Sequence, residues 1–213
     1  MADVRVSRKE QGELTRRAIV QAAVELYAEA GVRGTGLMAI GERAGVSHAT
    51  VLYHFGSSMG LLLAVLAERD RCFAAYEPSF RAGGIEALEH LPRVAAFNVE
   101  HPLWGKLFTV LQVENLDTDD EAHEYFVERR ATLRRQIASL LRRAEKRGEI
   151  RPGIDANGIA DEILSFAAGA QIQYYLDPAR VDLVALYERY TVRLMTDLTR
   201  GLDGPPPPAR PTS

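Results

Sequence analysis

Apolar residues recur at helical spacing along almost the whole chain, and no stretch alternates convincingly as a strand would. The first strong pattern opens at Thr15, with Ile19, Ala22, Ala23, Leu26 and Tyr27 on one face. Thr15 reads as its N-cap, with room for the helix to begin a turn or more earlier, and Gly31 as its C-terminal stop. Two short helices follow, at about Leu37–Ala44 and His48–Phe55. Gly45 separates them and Ser47 caps the second. The turn Gly56-Ser57-Ser58 leads into a long helix bearing Leu61, Leu62, Val65, Leu66 and Phe73, capped by Ser57 or Ser58 and ending before Pro78. Arg81-Ala82-Gly83-Gly84 reads as a loop. Further helices are expected at about Ile85–Glu100, Leu103–Asn115, Asp119–Arg147 and Asp155–Leu176, then from just after Pro178 to about Gly201. The pattern thus predicts an all-α fold of about nine helices, with no internal repeat and a Pro-rich, disordered tail over 203–213.

Two short helices joined by Ala44-Gly45-Val46-Ser47 have the spacing of a helix-turn-helix, which places its second helix in the DNA major groove. That helix opens with Ser47, His48, Ala49 and Thr50. Ala49 lets the backbone approach base edges, and its methyl or that of Thr50 can meet a thymine methyl. Ser47, His48 and Thr50 can donate to phosphate or base. Tyr53 and His54 lie one turn further on, with core packing as the competing role for Tyr53. Phe55 reads as core.

From Thr15 to about Leu66 the chain resembles the TetR (tetracycline-repressor-like) family of transcriptional regulators. The resemblance rests on Leu26-Tyr27…Gly31, Thr35, Ile40-Gly41…Ala44-Gly45-Val46-Ser47, Leu52-Tyr53-His54-Phe55, Ser57 and Leu61-Leu62. It implies a homodimer with an N-terminal three-helix DNA-binding domain over 1–57. A ligand-binding and dimerisation domain would follow over 58–202. It implies backbone contacts to DNA from Tyr53 and His54, and DNA-contacting positions at Thr35, Gly36 and Ser58. Two departures from the family pattern stand out. Gly36 stands where Ser or Thr usually caps the second helix, and Ser58 stands where many members carry lysine. Gly56 is also often basic in relatives. Met38 replaces the polar or basic groups that often face DNA.

Charge sharpens this picture more than composition does. The net charge of −3 over 213 residues argues against a bulk nucleic-acid coat protein. Residues 1–58 are only faintly basic, with seven Lys/Arg against six Asp/Glu, but five of the seven lie within Arg5–Arg17. Clustered positives of this kind suit phosphate contact. A lysine-poor reading surface should bind with a shallow salt dependence. One cysteine, Cys72, excludes a disulfide framework and fits a cytoplasmic location. No apolar run is long enough to span a membrane.

The second domain carries aromatics beside polar groups, the composition of a ligand pocket as much as of a plain helical core. The candidates for a pocket are His101, Trp104, Phe108, Phe126, Phe166 and Tyr174, and their apolar bias suggests a hydrophobic or aromatic effector. Ile163, Ala167, Ala170, Leu183, Tyr187, Tyr190 and Leu194 form stripes on the last two helices that would make a dimer interface, or else pack within one subunit. No histidine lies in a metal-binding spacing and no Gly-rich phosphate loop appears, so no catalytic residue, metal or cofactor is expected. The resulting expectation is a ligand-responsive repressor, homodimeric on a palindromic operator. The alternative is a module of the same fold that has lost operator binding.

Overall fold

The computed structural model describes residues 7–76, 85–120 and 122–201. Arg5, Pro78, the 81–84 loop and the 203–213 tail lie outside them. Among the described residues there are ten helices and no strand. They are α1 (Arg8–Ala30), α2 (Leu37–Ala44), α3 (His48–Phe55), α4 (Ser58–Tyr76), α5 (Glu86–Glu89), α6 (Leu91–Glu100), α7 (Pro102–Glu114), α8 (His123–Arg147), α9 (Ala156–Leu176) and α10 (Leu183–Thr199). No single described helix is long and apolar enough to cross a membrane.

Helix boundaries follow local chemistry. α1 starts at Arg8, not at Thr15, because Ser7 and Glu10 form a capping box. Ser7 Oγ accepts from the Glu10 N–H at 3.2 Å and the Glu10 carboxylate accepts from the Ser7 N–H at 2.7 Å. These bonds hold the Glu10 carboxyl below its ordinary value. Thr15 sits inside the helix and its hydroxyl donates to the Gln11 carbonyl. The single helix expected over Ile85–Glu100 is broken at His90. Pro92 has no N–H to give the Leu88 carbonyl and its ring would crowd that oxygen, so the chain starts a new helix instead of continuing α5.

The chain divides into two compact units, residues 1–76 with 98–127, and residues 77–97 with 128–213. The first holds α1 to α4 and α7, so the helix-turn-helix shares its unit with more chain than residues 1–57. Its core is built from Ile19, Ala23 and Tyr27 of α1, Ile40, Val51, Leu61, Leu62, Val65 and Leu66, closed by Leu107 and Leu111 of α7. All of these are almost wholly buried. The second unit has its own core, in which Leu88, Leu91 and Leu141 pack with Ile163, Leu183, Tyr187 and Leu198. Asp155 and Asp182 cap α9 and α10 there.

Candidate nucleic-acid interface

The turn between α2 and α3 depends on two glycines. Gly45 adopts φ 71°, ψ 28°, the left-handed conformation that closes a helix at low cost only for glycine. The Val46 N–H then donates back to the Gly41 carbonyl at 2.8 Å. Gly41 is buried, and a Cβ there would lie 2.8 Å from the Val46 carbonyl oxygen. Two helix axes can approach this closely only because Gly41 has no side chain.

Ser47 then caps α3 as expected. Its Oγ accepts from the Thr50 N–H at 3.1 Å and lies 2.8 Å from the Thr50 hydroxyl. Val51 is fully buried and anchors the helix. Phe55 packs half-buried against the same core, under the Arg16 guanidinium at 5.1 Å from its ring centre. The opposite face is open: Ser47, His48 and Ala49 are exposed, Thr50 and His54 half-exposed. Tyr53 is 86% exposed, which removes core packing as its role. Its ring meets the His54 ring edge-on at 5.3 Å. Ser58 is half-buried at the start of α4, and the cap of that helix is Ser57, whose Oγ accepts from the Gly60 N–H.

The front of α2 differs in character. Thr35 turns its hydroxyl inward to the Gly31 carbonyl at 2.7 Å, so it ties the α1–α2 turn together. Gly36 is the N-cap and supplies no side-chain bond. Met38 is 66% exposed on α2. The positive charges of this region are partly committed. Arg43 pairs with Glu25 at 3.1 Å and Glu29 at 3.8 Å, and Arg33 pairs with Asp120. A hydrogen bond from Gln21, joined by Arg43, holds the Glu25 carboxyl below its ordinary value. Lys9 and Arg17 remain exposed on α1.

Comparison with known proteins agrees with this geometry. Residues 19–65 match the family of bacterial regulatory proteins described as the tetR family, and residues 84–186 match the tetracyclin repressor-like C-terminal domain. The HTH-type transcriptional regulator SrpR of Pseudomonas putida is 30% identical over 147 residues, 68% of each chain. The chain belongs to the TetR family. It is a DNA-binding transcriptional regulator, and its relatives are regulators, not enzymes. Regulators of this family bind operator DNA as dimers and respond to small molecules. Solved structures share the fold. NalD, the secondary repressor of an efflux pump in Pseudomonas aeruginosa, has a TM-score of 0.71 at 23% identity, covering 90% of this chain and 99% of its own. A SmeT–triclosan complex has a TM-score of 0.75 at 20% identity, covering 93% and 99%.

The six residues expected to form a TetR-type effector pocket do not share one compact unit. Trp104, Phe108 and Phe126 pack on the core of the first unit, with Phe108 edge-on to Phe126 at 5.6 Å. His101 is exposed and edge-on to Tyr76 at 5.9 Å. Phe166 and Tyr174 belong to the second unit, where Phe166 stacks on Tyr190 at 3.9 Å. A groove of about 510 Å³ in the second unit, between Glu89 and Pro92 on one side and Glu188, Thr191 and Met195 on the other, contains none of the six. Sequence reasoning missed Arg69. It is 5% exposed, with its guanidinium over the Phe108 ring at 4.2 Å. Only its helical register one turn before Phe73 could have hinted at this.

The stripes assigned to a dimer interface also divide. Ile163, Ala170, Leu183 and Tyr187 are buried within the subunit and fill its own core. That packing covers their apolar surface within one chain. Ala167, Tyr190 and Leu194 stay half-exposed.

Proposed function

We propose that the open face of α3 reads the operator. Ser47, His48, Ala49 and Thr50 would face base edges, and Tyr53 and His54 would meet the phosphate backbone. The observation that carries this reading is Tyr53, a large aromatic left 86% exposed beside small residues on a short, well-anchored helix. Gly36 leaves the first-turn N–H groups of α2 without a side-chain acceptor, which suits a phosphate. Ser58 would add a hydroxyl. Two subunits, meeting through the half-exposed Ala167, Tyr190 and Leu194, would space their α3 helices for successive major grooves of a palindromic site in the bacterial cytoplasm.

The effector we propose is a hydrophobic or aromatic molecule held against Trp104, Phe108 and Phe126. SmeT is solved with triclosan, and FadR of Bacillus subtilis with stearoyl-CoA. These three aromatics pack on the core that also holds α1 and α4. A ligand that displaces them would favour a placement of α3 with weaker operator affinity, by no more than its preference for that state.

Fluorescence anisotropy with duplex DNA at two salt concentrations tests the α3 assignment. Tyr53→Ala should weaken operator and non-specific binding alike while leaving the melting temperature unchanged. Unchanged affinity would remove Tyr53 from the interface. Trp104 is the chain's one tryptophan, so a bound effector should change its fluorescence.

A further inference from the structure

The α1–α2 turn is gripped by a residue from a distant part of the chain. Gly31 leaves α1 at φ 72°, ψ 174°. The Val32 N–H that follows lies past the end of the helix, off its hydrogen-bond ladder, and needs an acceptor from elsewhere. Glu114, the last residue of α7, supplies one: its Oε2 accepts from Val32 N–H at 2.9 Å. A Cβ on Gly31 would run into the same carboxylate. Glycine therefore serves twice here, for its positive φ and for the space the Glu114 side chain occupies.

Arg33, the next residue, donates to the Glu114 main-chain carbonyl at 3.3 Å and pairs with the Asp120 carboxylate. The far side of this grip is itself fixed. The second Asp120 oxygen accepts from the Asp117 N–H at 3.0 Å. The Asn115 amide donates to the Leu111 carbonyl at 2.7 Å and accepts from the Ala122 N–H at 3.0 Å. On the near side, the Thr35 hydroxyl ties the start of α2 back to the Gly31 carbonyl. From that start, α2 and the Gly41–Val46 closure lead directly to α3.

We propose that Glu114 is a positioning residue for operator binding. Its carboxylate fixes the α1–α2 turn, and through that turn it sets where α2 and α3 point. The inference rests on α3 being the reading helix. It predicts that losing Glu114 costs sequence discrimination before it costs fold, because base readout needs a defined approach and general phosphate attraction does not.

The test uses the full chain, a duplex it selects from a random pool, and a scrambled duplex of the same composition. Glu114→Ala should lower affinity for the selected duplex roughly tenfold, the usual worth of a lost charge-assisted hydrogen bond. Binding to the scrambled duplex should barely change. Hydrogen exchange at the Val32 amide, read without DNA, should accelerate. Glu114→Gln keeps an oxygen acceptor and should recover most of the loss. If Glu114→Ala does not fold, Asp120→Asn at the other end of Arg33 gives the same readout, with a smaller loss of discrimination expected. Unchanged affinity for the selected duplex in the variant that folds would overturn the proposal. So would a parallel loss on both duplexes with a lower melting temperature, since that marks a general structural role. Tyr53→Ala separates the two readings, because it should weaken both duplexes without touching the Val32 amide. Enrichment of no duplex would overturn the α3 reading and this proposal together.

Discussion

α2–α3 and α9–α10 are both helix pairs, and they are held in opposite ways. α2 and α3 have eight residues each, and between them only Ile40, Gly41 and Val51 are buried. α9 and α10 run for 21 and 17 residues and bury Ile163, Leu183, Tyr187 and Leu198 among others. Helices of eight residues are marginal alone, so the reading pair takes its position from α1 and α4, and we propose from Glu114. The long pair makes its own core. A region that, as we propose, presents small side chains to DNA has few left to bury. Substitutions there should disturb binding before stability, and substitutions in α9–α10 should do the reverse.

Tyr187→Ala should show the larger side of this contrast. The side chain is 1% exposed, and truncation should cost about 3–5 kcal/mol. Thermal unfolding would measure it, and an unchanged midpoint would mean that α9–α10 do not form a core. Gly41→Ala comes next. Its methyl would press on the Val46 carbonyl, and overpacking of this kind costs about 1–3 kcal/mol. The loss of operator affinity should exceed what the melting shift accounts for. Ser58→Lys should then add one phosphate contact and steepen the log–log salt dependence of binding by roughly 0.9. An unaltered slope would place position 58 away from the DNA.

The smallest effect is on the acid side. The folded Glu25 carboxyl lies below its ordinary 4.5, through Gln21 and then Arg43. Asp197 lies below 3.8, through its hydrogen bond and charge pairing with Arg151. A lowered folded value stabilises above the unfolded one and is lost as pH falls through the folded one. Stability should therefore decline as pH drops through and below the 4.5–3.8 window, and Asp197→Asn should flatten that decline slightly. Both carboxylates are solvent-accessible, so the change should be small. Denaturant midpoints across acid pH would measure it.

Local chemistry made most of the fold legible in the sequence. Gly45, Ser47 and the Asp155 cap act within a few residues, and each does in the structure what its residue type suggests. The start of α1 is set by Ser7 and Glu10, two turns ahead of the apolar stripe that opens at Thr15. The open face of α3 followed from its small residues, although exposure alone decided between surface and core for Tyr53. The pairing of Glu114 with Val32, across 82 positions, leaves no periodic trace. For the same reason, an aromatic series read as one pocket falls into two cores. Helical spacing shows which face of a helix is apolar, and it cannot show which neighbour covers that face.

The most direct test of α3 as the reading helix is selection of DNA from a random pool by the wild-type chain and by Thr50→Val. The expected result is a two-fold symmetric consensus with half-sites about 34–36 Å apart. The variant should change the preferred base at the same position of both half-sites. An asymmetric site, or a consensus that Thr50→Val leaves untouched together with one that Ala49→Ser leaves untouched, would contradict it.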